Sequence, residues 1–567
     1  MYLRTTPRRN KDGTVVRYLQ LAHNVWDPVA KRSKPTVIYN FGREDAASRA
    51  ALERLISSVS RFLDPDAALA TSCGEGLSYL ESRALGGTFV LDALWHRLGI
   101  DDAMRGLLAG RRRDAAAERV LFALTANRAL EPSSKLAAAR WVAEDVAISG
   151  LATTTDDACY RAMDWLLEIA PALEKEVFHQ VASLLDLEVD LLFFDTTSTY
   201  FETGEADEPL ARDERGLPLE DPSEGDDTHS AGFRAYGKSK DSRDDLPQIV
   251  IGMAVTRGGI PVRVWCWPGN TNDSALIRQV KDDLRDWTLS RVIWVADRGF
   301  TSAENRRFLR RGDHHYIIGE KLRSGSAEAR AALSRQGRYR AVAENLRVKE
   351  VRISESERFV VCHNPHSAER DASVRARMVA ALGEMIAGSD KLTATKRAEL
   401  RGVISTKPGL NRYLRVTPGG LLRINARAIE AEAKLDGKYL LRSSDPHLSA
   451  EDMALGYKQL IEVERGWRDM KQVIDLRPVY HRKEERIRAH VLLCWLALLL
   501  IRVIENTCDE TWGNVRRELQ RINVGTFKGP AGTFRQRTEI TAAQRAILVR
   551  LKIDEPARIC ELTPASS

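Results

Sequence analysis

Val189-Asp190-Leu191-Leu192-Phe193-Phe194-Asp195-Thr196-Thr197-Ser198 is the stretch on which the reading of this chain turns. Four apolar residues in succession between polar ones have the length and composition of a buried strand. The carboxylate that closes the run is expensive to bury without a partner. A second run, Val292-Ile293-Trp294-Val295-Ala296, also ends in an aspartate, Asp297, and Gly299 lets the chain turn sharply just beyond. Between the two runs, Gln248 to Thr256 and Ile260 to Trp267 read as strands of a hairpin turned at Arg257-Gly258-Gly259. A helix is expected from Ser274 to Trp287, another from Ser302 to Arg311, and a strand from His315 to Ile318. Taken singly, Asp195 equally suits a strand-end residue capping a turn, and Asp297 a surface pair with Arg298.

The order of these elements matches the ribonuclease-H-like α/β fold. There the first and fourth strands are neighbours, which would set Asp195 beside Asp297. A third acid lies within a helical pattern from Tyr457 to Lys471. Positions 0, +7 and +14 of a helix return to nearly one face, aligning Tyr457, Glu464 and Lys471, with Arg465 and Arg468 nearby. Glu462 lies about 200° around the same helix from Glu464. By itself this pattern equally describes an amphipathic helix with a solvated Glu464–Arg468 pair. Two strand-end aspartates and a helical glutamate among basic residues suit a Mg²⁺ site that cuts or joins nucleic acid.

Composition permits that chemistry without demanding it. The net charge is +7 and the pI about 8.9, because 79 acidic residues offset 86 basic ones. Charge is segregated: residues 1 to 43 hold nine Lys or Arg and two acids, whereas Glu202 to Asp227 is strongly acidic. The seven cysteines form no CxxC pair, which argues against a zinc site or a disulfide framework and fits a reducing cytoplasm. Val491 to Ile501 is the most apolar stretch, too short to span a bilayer and bracketed by His490 and Arg502; it reads as a buried core helix.

Six regions follow. Residues 1–75 form a small basic β unit and linker, with strands at Val15 to Leu21 and Thr36 to Phe41 and a turn at Asp12-Gly13. Residues 76–185 are a helical DNA-binding candidate, with Arg111-Arg112-Arg113 and Lys135 as its basic residues and a Pro-Ser cap at Pro132-Ser133-Ser134. Residues 186–319 are the first part of the ribonuclease-H-like core. Residues 320–443 read as a mostly β insertion. Residues 444–505 complete the core and carry Glu464, and 506–567 form a basic C-terminal tail with a helix near Ala542 to Leu551. Gly232 to Ser239 satisfies the phosphate-loop expression G-x-x-x-x-G-K-[ST], but lacks a strand before it and a helix after it, so it is not read as a nucleotide site.

With these residues in view, the chain resembles insertion-sequence DDE transposases of the group with a β-strand insertion before the catalytic Glu. The helical signature of that group is Tyr-(2)-Arg-(3)-Glu-(6)-Lys. Tyr457, Glu464 and Lys471 are in register with it, and Leu460 stands where the Arg is expected. The resemblance runs from about residue 80 to 505. Its other carriers are Asp195-Thr196-Thr197 and Ala296-Asp297-Arg298-Gly299-Phe300. It implies that Asp195, Asp297 and Glu464 are the catalytic residues and the ligands of two Mg²⁺ ions, for which Mn²⁺ can substitute. It further implies DNA contacts from Tyr457, Arg465, Arg468, Lys471, Lys238, Lys240 and Arg298. The implied activity is binding the inverted terminal repeats, cleaving them and joining the 3′-OH to target DNA. The implied setting is a homodimer on nucleoid DNA in a bacterial cytoplasm, without a membrane. A ribonuclease-H-like nuclease without strand transfer and an inactive DNA-binding regulator are the alternatives.

Overall fold

The computed structural model describes every residue except 1, 29, 64–77, 109–115, 187–189, 214, 220–228, 288, 290, 355–356, 478, 480, 530–531 and 565–567. Arg111-Arg112-Arg113 and Val189 therefore lie outside the described residues. The chain divides into two compact units. One comprises Met1–Gly86, Glu518–Arg545 and Asp554–Ser567, the other Gly87–Arg517 and Ala546–Ile553.

The first unit opens with an antiparallel sheet in the order β1 (Tyr2–Arg9), β2 (Val15–Asp27), β3 (Arg32–Arg43). Gly13 turns the chain between β1 and β2 at φ +87°, and the Asp12 carboxylate accepts the Thr14 amide at 3.0 Å. A helix, α1 (Ala46–Leu63), and a strand, β4 (Ser78–Ala84), follow.

The second unit begins with five helices: α2 (Gly86–Arg97), α3 (Ile100–Leu108), α4 (Ala117–Leu130), α5 (Lys135–Glu144) and α6 (Asp156–Leu184). Ser134 caps α5, its hydroxyl accepting the Ala137 amide at 3.2 Å. Then comes β5 (Leu191–Tyr200), a short pair β6 (Leu210–Arg212) and β7 (His229–Ala231), and the hairpin β8 (Gln248–Val255) with β9 (Pro261–Pro268). Next are α7 (Asp273–Asp283), β10 (Ile293–Ala296), α8 (Ala303–Leu309) and β11 (His315–Glu320). β5 pairs in parallel with β10, and β10 with β11, whereas β5–β8 and β8–β9 are antiparallel. The first and fourth of these main-sheet strands are thus neighbours. Phe194, Trp265, Trp267, Trp294 and Tyr316 fill one side of the sheet beneath α7.

The residues from 320 to 443 differ from the mostly β expectation. Their strands β12 (Arg340–Ala343), β13 (Leu346–Ser354) and β14 (Glu357–His363) join the main sheet instead of forming their own. The helices α9 (Ala327–Ser334), α10 (Pro365–Ile386), α11 (Ala394–Ser405), α12 (Pro408–Asn411) and α13 (Ala426–Ala433) hold more residues than the strands do. Leu382, Ile404 and Tyr413 give the helical part its own small core. The hairpin β15 (Leu414–Val416) with β16 (Leu422–Ile424) precedes β17 (Lys438–Ser443), which inserts antiparallel between β11 and β14. The result is one mixed sheet in the order β12-β13-β14-β17-β11-β10-β5-β8-β9.

Three helices complete the unit: α14 (Ala450–Lys458), α15 (Ile461–Gln472) and α16 (Glu484–Cys508). α16 is long and apolar enough to cross a membrane by composition, but 94% of its apolar window is buried within the protein. It packs on α4, α6 and β9 as the core helix its sequence predicts. The C-terminal residues are not merely a basic tail. After α17 (Trp512–Leu519), strands β18 (Asn523–Gly529) and β19 (Gly532–Arg537), α18 (Ala542–Arg550) and β20 (Ile559–Pro564) follow. β4 joins the three strands in the order β20-β19-β18-β4. Its partners lie more than 400 residues away, so no local pattern announces the pairing.

Candidate active site

The parallel pairing of β5 with β10 sets Phe194 opposite Ala296. The residues that follow, Asp195 and Asp297, are therefore brought side by side. β10 ends at Ala296, whereas β5 runs on to Tyr200 against β8, its Thr-Thr-Ser-Thr-Tyr sequence well suited to a strand. Asp195 is thus not the end of its strand, as expected, but the point where β5 loses one of its two neighbours. Asp297 precedes the single turn Arg298–Phe300, and its side chain makes no capping bond there. Its Oδ1 instead accepts the hydroxyl of Tyr457 at 3.3 Å. That hydroxyl fits against β11 only because residue 319 is glycine; a Cβ there would collide with it. Tyr439 stacks on the Tyr457 ring at 6.0 Å. Burial, then the nearby Asp297, then Glu464, push the Tyr457 phenol up from its ordinary range, so it stays a protonated donor.

The ammonium of Lys240 faces Asp195. Its Nζ donates to the Thr196 carbonyl and, at 2.6 Å, to Thr196 Oγ1. It lies 3.2 Å from Asp273 Oδ2 and 3.8 Å from Asp195 Oδ1. Asp273 begins α7 and accepts the Thr196 hydroxyl at 3.0 Å. Burial pushes the Asp195 carboxyl up to about 6, with Asp297 and Asp273 adding to the rise and Lys240 opposing it. A carboxylate flanked by two others and partly desolvated holds its proton in this way.

The helix expected to run unbroken from Tyr457 to Lys471 is interrupted at Gln459-Leu460. Tyr457 lies in the last turn of α14, and Glu464 sits in the first turn of α15. Leu460, buried, offers its carbonyl to the amides of Val463 at 3.2 Å and Glu464 at 3.5 Å. Glu464 is exposed, and so is Arg468. Glu462 points to the β8–β9 turn, against Gly259, and pairs weakly with Arg465 at 3.9 Å. Arg465 is held by Glu505 at 3.0 Å, inside an ion-pair group with Arg502 and Asp469. Lys471, also expected to face DNA, is instead half-buried, donating to Thr197 Oγ1 at 2.8 Å and to Asp241 Oδ1 at 3.0 Å. Arg477 reaches the same Asp241 at 3.2 Å. Lys238 and Arg298 are exposed.

Asp195, Asp297, Tyr457 and Lys240 are thus in one neighbourhood, with Lys471 one strand position further along β5 and Arg465 turned away. The sequence reading missed Asp273, Asp241 and Gly319. Asp273 carries a local signal, the Asn272 cap that starts its helix. Asp241 stands in a run of five charged residues out of six, Lys240 to Asp245, where nothing marks it out. The Gly232 to Ser239 segment has no helix after it, as expected, but the short strand β7 does precede it, contrary to expectation; its Ser239 amide is held by Asp244 at 2.6 Å.

Among the described residues no three His, Cys, Asp or Glu side chains are gathered closely enough to hold a metal ion. The carboxylates facing the notch nevertheless suit a hard divalent cation, which takes oxygen donors. Burial first, and then Asp297 and Asp273, raise the proton affinity of Asp195, and the Lys240 ammonium offsets part of that rise. Asp195 and Asp297 fit such an ion in their chemistry, whereas Glu464, exposed on α15, is not gathered with them into one closed ligand set.

Residues 213–500 match the family described as "Transposase DDE domain". Residues 3–69 match "IS1634 family transposase, N-terminal domain". No curated protein matches the chain. A solved structure, a piggyBac transposase synaptic complex with hairpin DNA, is similar with a TM-score of 0.33 and 12% identity, over 77% of this chain and 79% of that one.

Proposed function

The chain belongs to the transposase DDE family, and from that premise we propose that this metal-dependent DNA transposase cuts and rejoins phosphodiester bonds at the notch where Asp195 and Asp297 meet. The observation that carries the reading is the pairing of β5 with β10, which sets two carboxylates side by side where β10 stops. Asp195, Asp297 and Glu464 would hold two Mg²⁺ ions, or Mn²⁺ in their place. Bound there, the metal supplies positive charge to the attacking and leaving oxygens of the phosphodiester.

The chain's own residues do the rest. Tyr457 fixes the Asp297 carboxylate with a hydroxyl that keeps its proton. Lys240 holds Asp195 and Asp273 in place and offsets their repulsion. Asp241 anchors Lys471 and Arg477 beside β5, which makes Lys471 a positioning residue in this reading. Arg468, Arg298 and Lys238, all exposed, are the candidates for phosphate contact. The substrates are the inverted terminal repeats of the element and target DNA, with the freed 3′-OH attacking the target. The active complex is a homodimer on nucleoid DNA.

A strand-transfer assay with element-end DNA and Mg²⁺ tests this. Glu464→Gln and Asp297→Asn should lose both cleavage and joining while the protein stays folded. Full activity in either variant overturns the assignment of that residue. Cleavage without joining by the unmodified protein would favour the nuclease reading.

A further inference from the structure

The three-stranded sheet β1–β3 has two faces of different chemistry. Its register places Arg4 opposite Gln20 and Gln20 opposite Asn40, one row across all three strands. The next row on that face is Thr6, Tyr18 and Arg43, and Arg8 stands opposite Val16 beyond it. A bond from Thr6 Oγ1 to Gln20 Oε1 at 3.3 Å runs along the same face. The opposite face carries the row Leu3, Leu21 and Tyr39 and the buried Leu19. The acids of the sheet are engaged at its turns: Asp12 with Thr14, and Asp27 with Lys34 at 2.5 Å. Among the described residues the rows of this face bear arginines and amides with no carboxylate, and beyond Arg4 and Gln20 the face runs into Tyr2, the buried Ala22 and Val37.

We propose that this face, with Arg4, Gln20 and Asn40 as its reading row, enters the major groove of duplex DNA and recognises the element's end. The proposal rests on the transposase reading above for the identity of the DNA. Neighbouring strands lie roughly 4.8 Å apart, so a three-strand row spans about 10 Å, against a major groove about 12 Å wide. The side chains are of the kinds that read base edges there: arginine pairs with the O6 and N7 of guanine, and glutamine or asparagine with the N6 and N7 of adenine. Arg8, exposed at the end of the face, is placed for a phosphate. Sheets are known to read DNA in this groove. Among the described residues the rows of the face hold no acid, which gives the charge match.

The test uses the full chain and two duplexes: one with the terminal sequence of the element that encodes it, the other with the same bases scrambled. Binding is followed by fluorescence anisotropy for the wild type, Gln20→Ala, Asn40→Ala and Arg8→Ala, with thermal melting to confirm folding. The first two substitutions remove no charge. They should weaken end binding about tenfold or more, as loss of a base contact does, and leave scrambled binding unchanged. Arg8→Ala should weaken both duplexes alike and lower the salt slope by about 1. Methylation of guanine N7, which lines the major groove, should interfere with end binding. Unchanged end binding by Gln20→Ala and Asn40→Ala overturns the proposal. So does a face whose substitution alters only the sedimentation of the protein, which would assign it to a second copy of the chain. A wild type that separates end from scrambled DNA but fails to cleave with Mg²⁺ sinks the catalytic reading and leaves the sheet assignment standing.

Discussion

Two groups of cations, one at the site beside β5 and one buried among the helices, are handled in opposite ways. Beside β5 each has a carboxylate: Lys240 has Asp273, and Lys471 and Arg477 share Asp241. Among the helices, Lys135, Arg128, His481 and His490 come together with no salt bridge to any of them among the described residues. Arg128 leans on the carbonyls of Ser133 and Asp475, and His490 on that of Leu476. The consequences follow from desolvation. Burial and then Arg128 bring the Lys135 ammonium down to about 7, and burial and then Lys135 bring His481 down to about 4. His490 is held neutral in the same way. Burial lowers Lys471 as well, but its bond to Asp241 opposes the fall, whereas Lys135 and His481 have no such carboxylate against them among the described residues. The first arrangement serves a site that must hold geometry, and the second serves packing.

Asp241→Ala should have the largest effect, because it strands two half-buried cations at once. Stability should fall by about 2 kcal/mol by urea unfolding, and DNA cleavage should fall with it. Lys471→Met in the same chain should restore part of the stability, since the two residues are coupled; simple additivity would show that the pairing contributes nothing. Tyr457→Phe removes one hydrogen bond to a carboxylate, about 1.5 kcal/mol. It should slow cleavage about tenfold, and Gly319→Ala should act in the same direction by displacing the hydroxyl.

Lys135 responds to pH. Its folded-state proton affinity lies below that of the unfolded chain, so the unfolded chain binds the extra proton from about pH 7 upward into the ordinary lysine range. Stability should therefore rise with pH across that window and be lowest below it. Thermal unfolding between pH 6.5 and 9, roughly the accessible part of the window, should show the rise in the wild type and a flatter profile in Lys135→Met. An equal slope in both would place the effect on another group. The smallest change expected is that of Arg465→Ala. Its pair with Glu505 is part-exposed, so about 0.5 kcal/mol is at stake. DNA affinity should stay put, whereas Arg468→Ala should reduce the salt slope by about 1.

The two aspartates were legible because an apolar run closing on a carboxylate is a local pattern, and strand order then made them neighbours. The break between Tyr457 and Glu464 was not legible. Gln459 and Leu460 suit a helix, and tertiary packing over β11 decides the interruption. The acid partners of Lys240 and Lys471 escaped because Asp273 reaches Lys240 from a helix 33 residues on, and Asp241 lies in a charged loop. The insertion misled for a different reason. Its strands have ordinary strand signals, but nothing local says that they extend an existing sheet or that helices outweigh them.

The position of β17 has a consequence for solubility. Without residues 321–443, β17 included, β11 would be an open edge of the sheet, two strands from Asp195. With them, the free edge is the four-residue β12, four strands farther out, roughly 19 Å at ordinary strand spacing. The other edge, β9, is covered by α16. Exposed edges invite pairing with other chains. Excising the insertion would therefore do more than trim a surface: it would uncover an adhesive strand next to the notch, and the shortened protein would tend to aggregate where it should bind DNA.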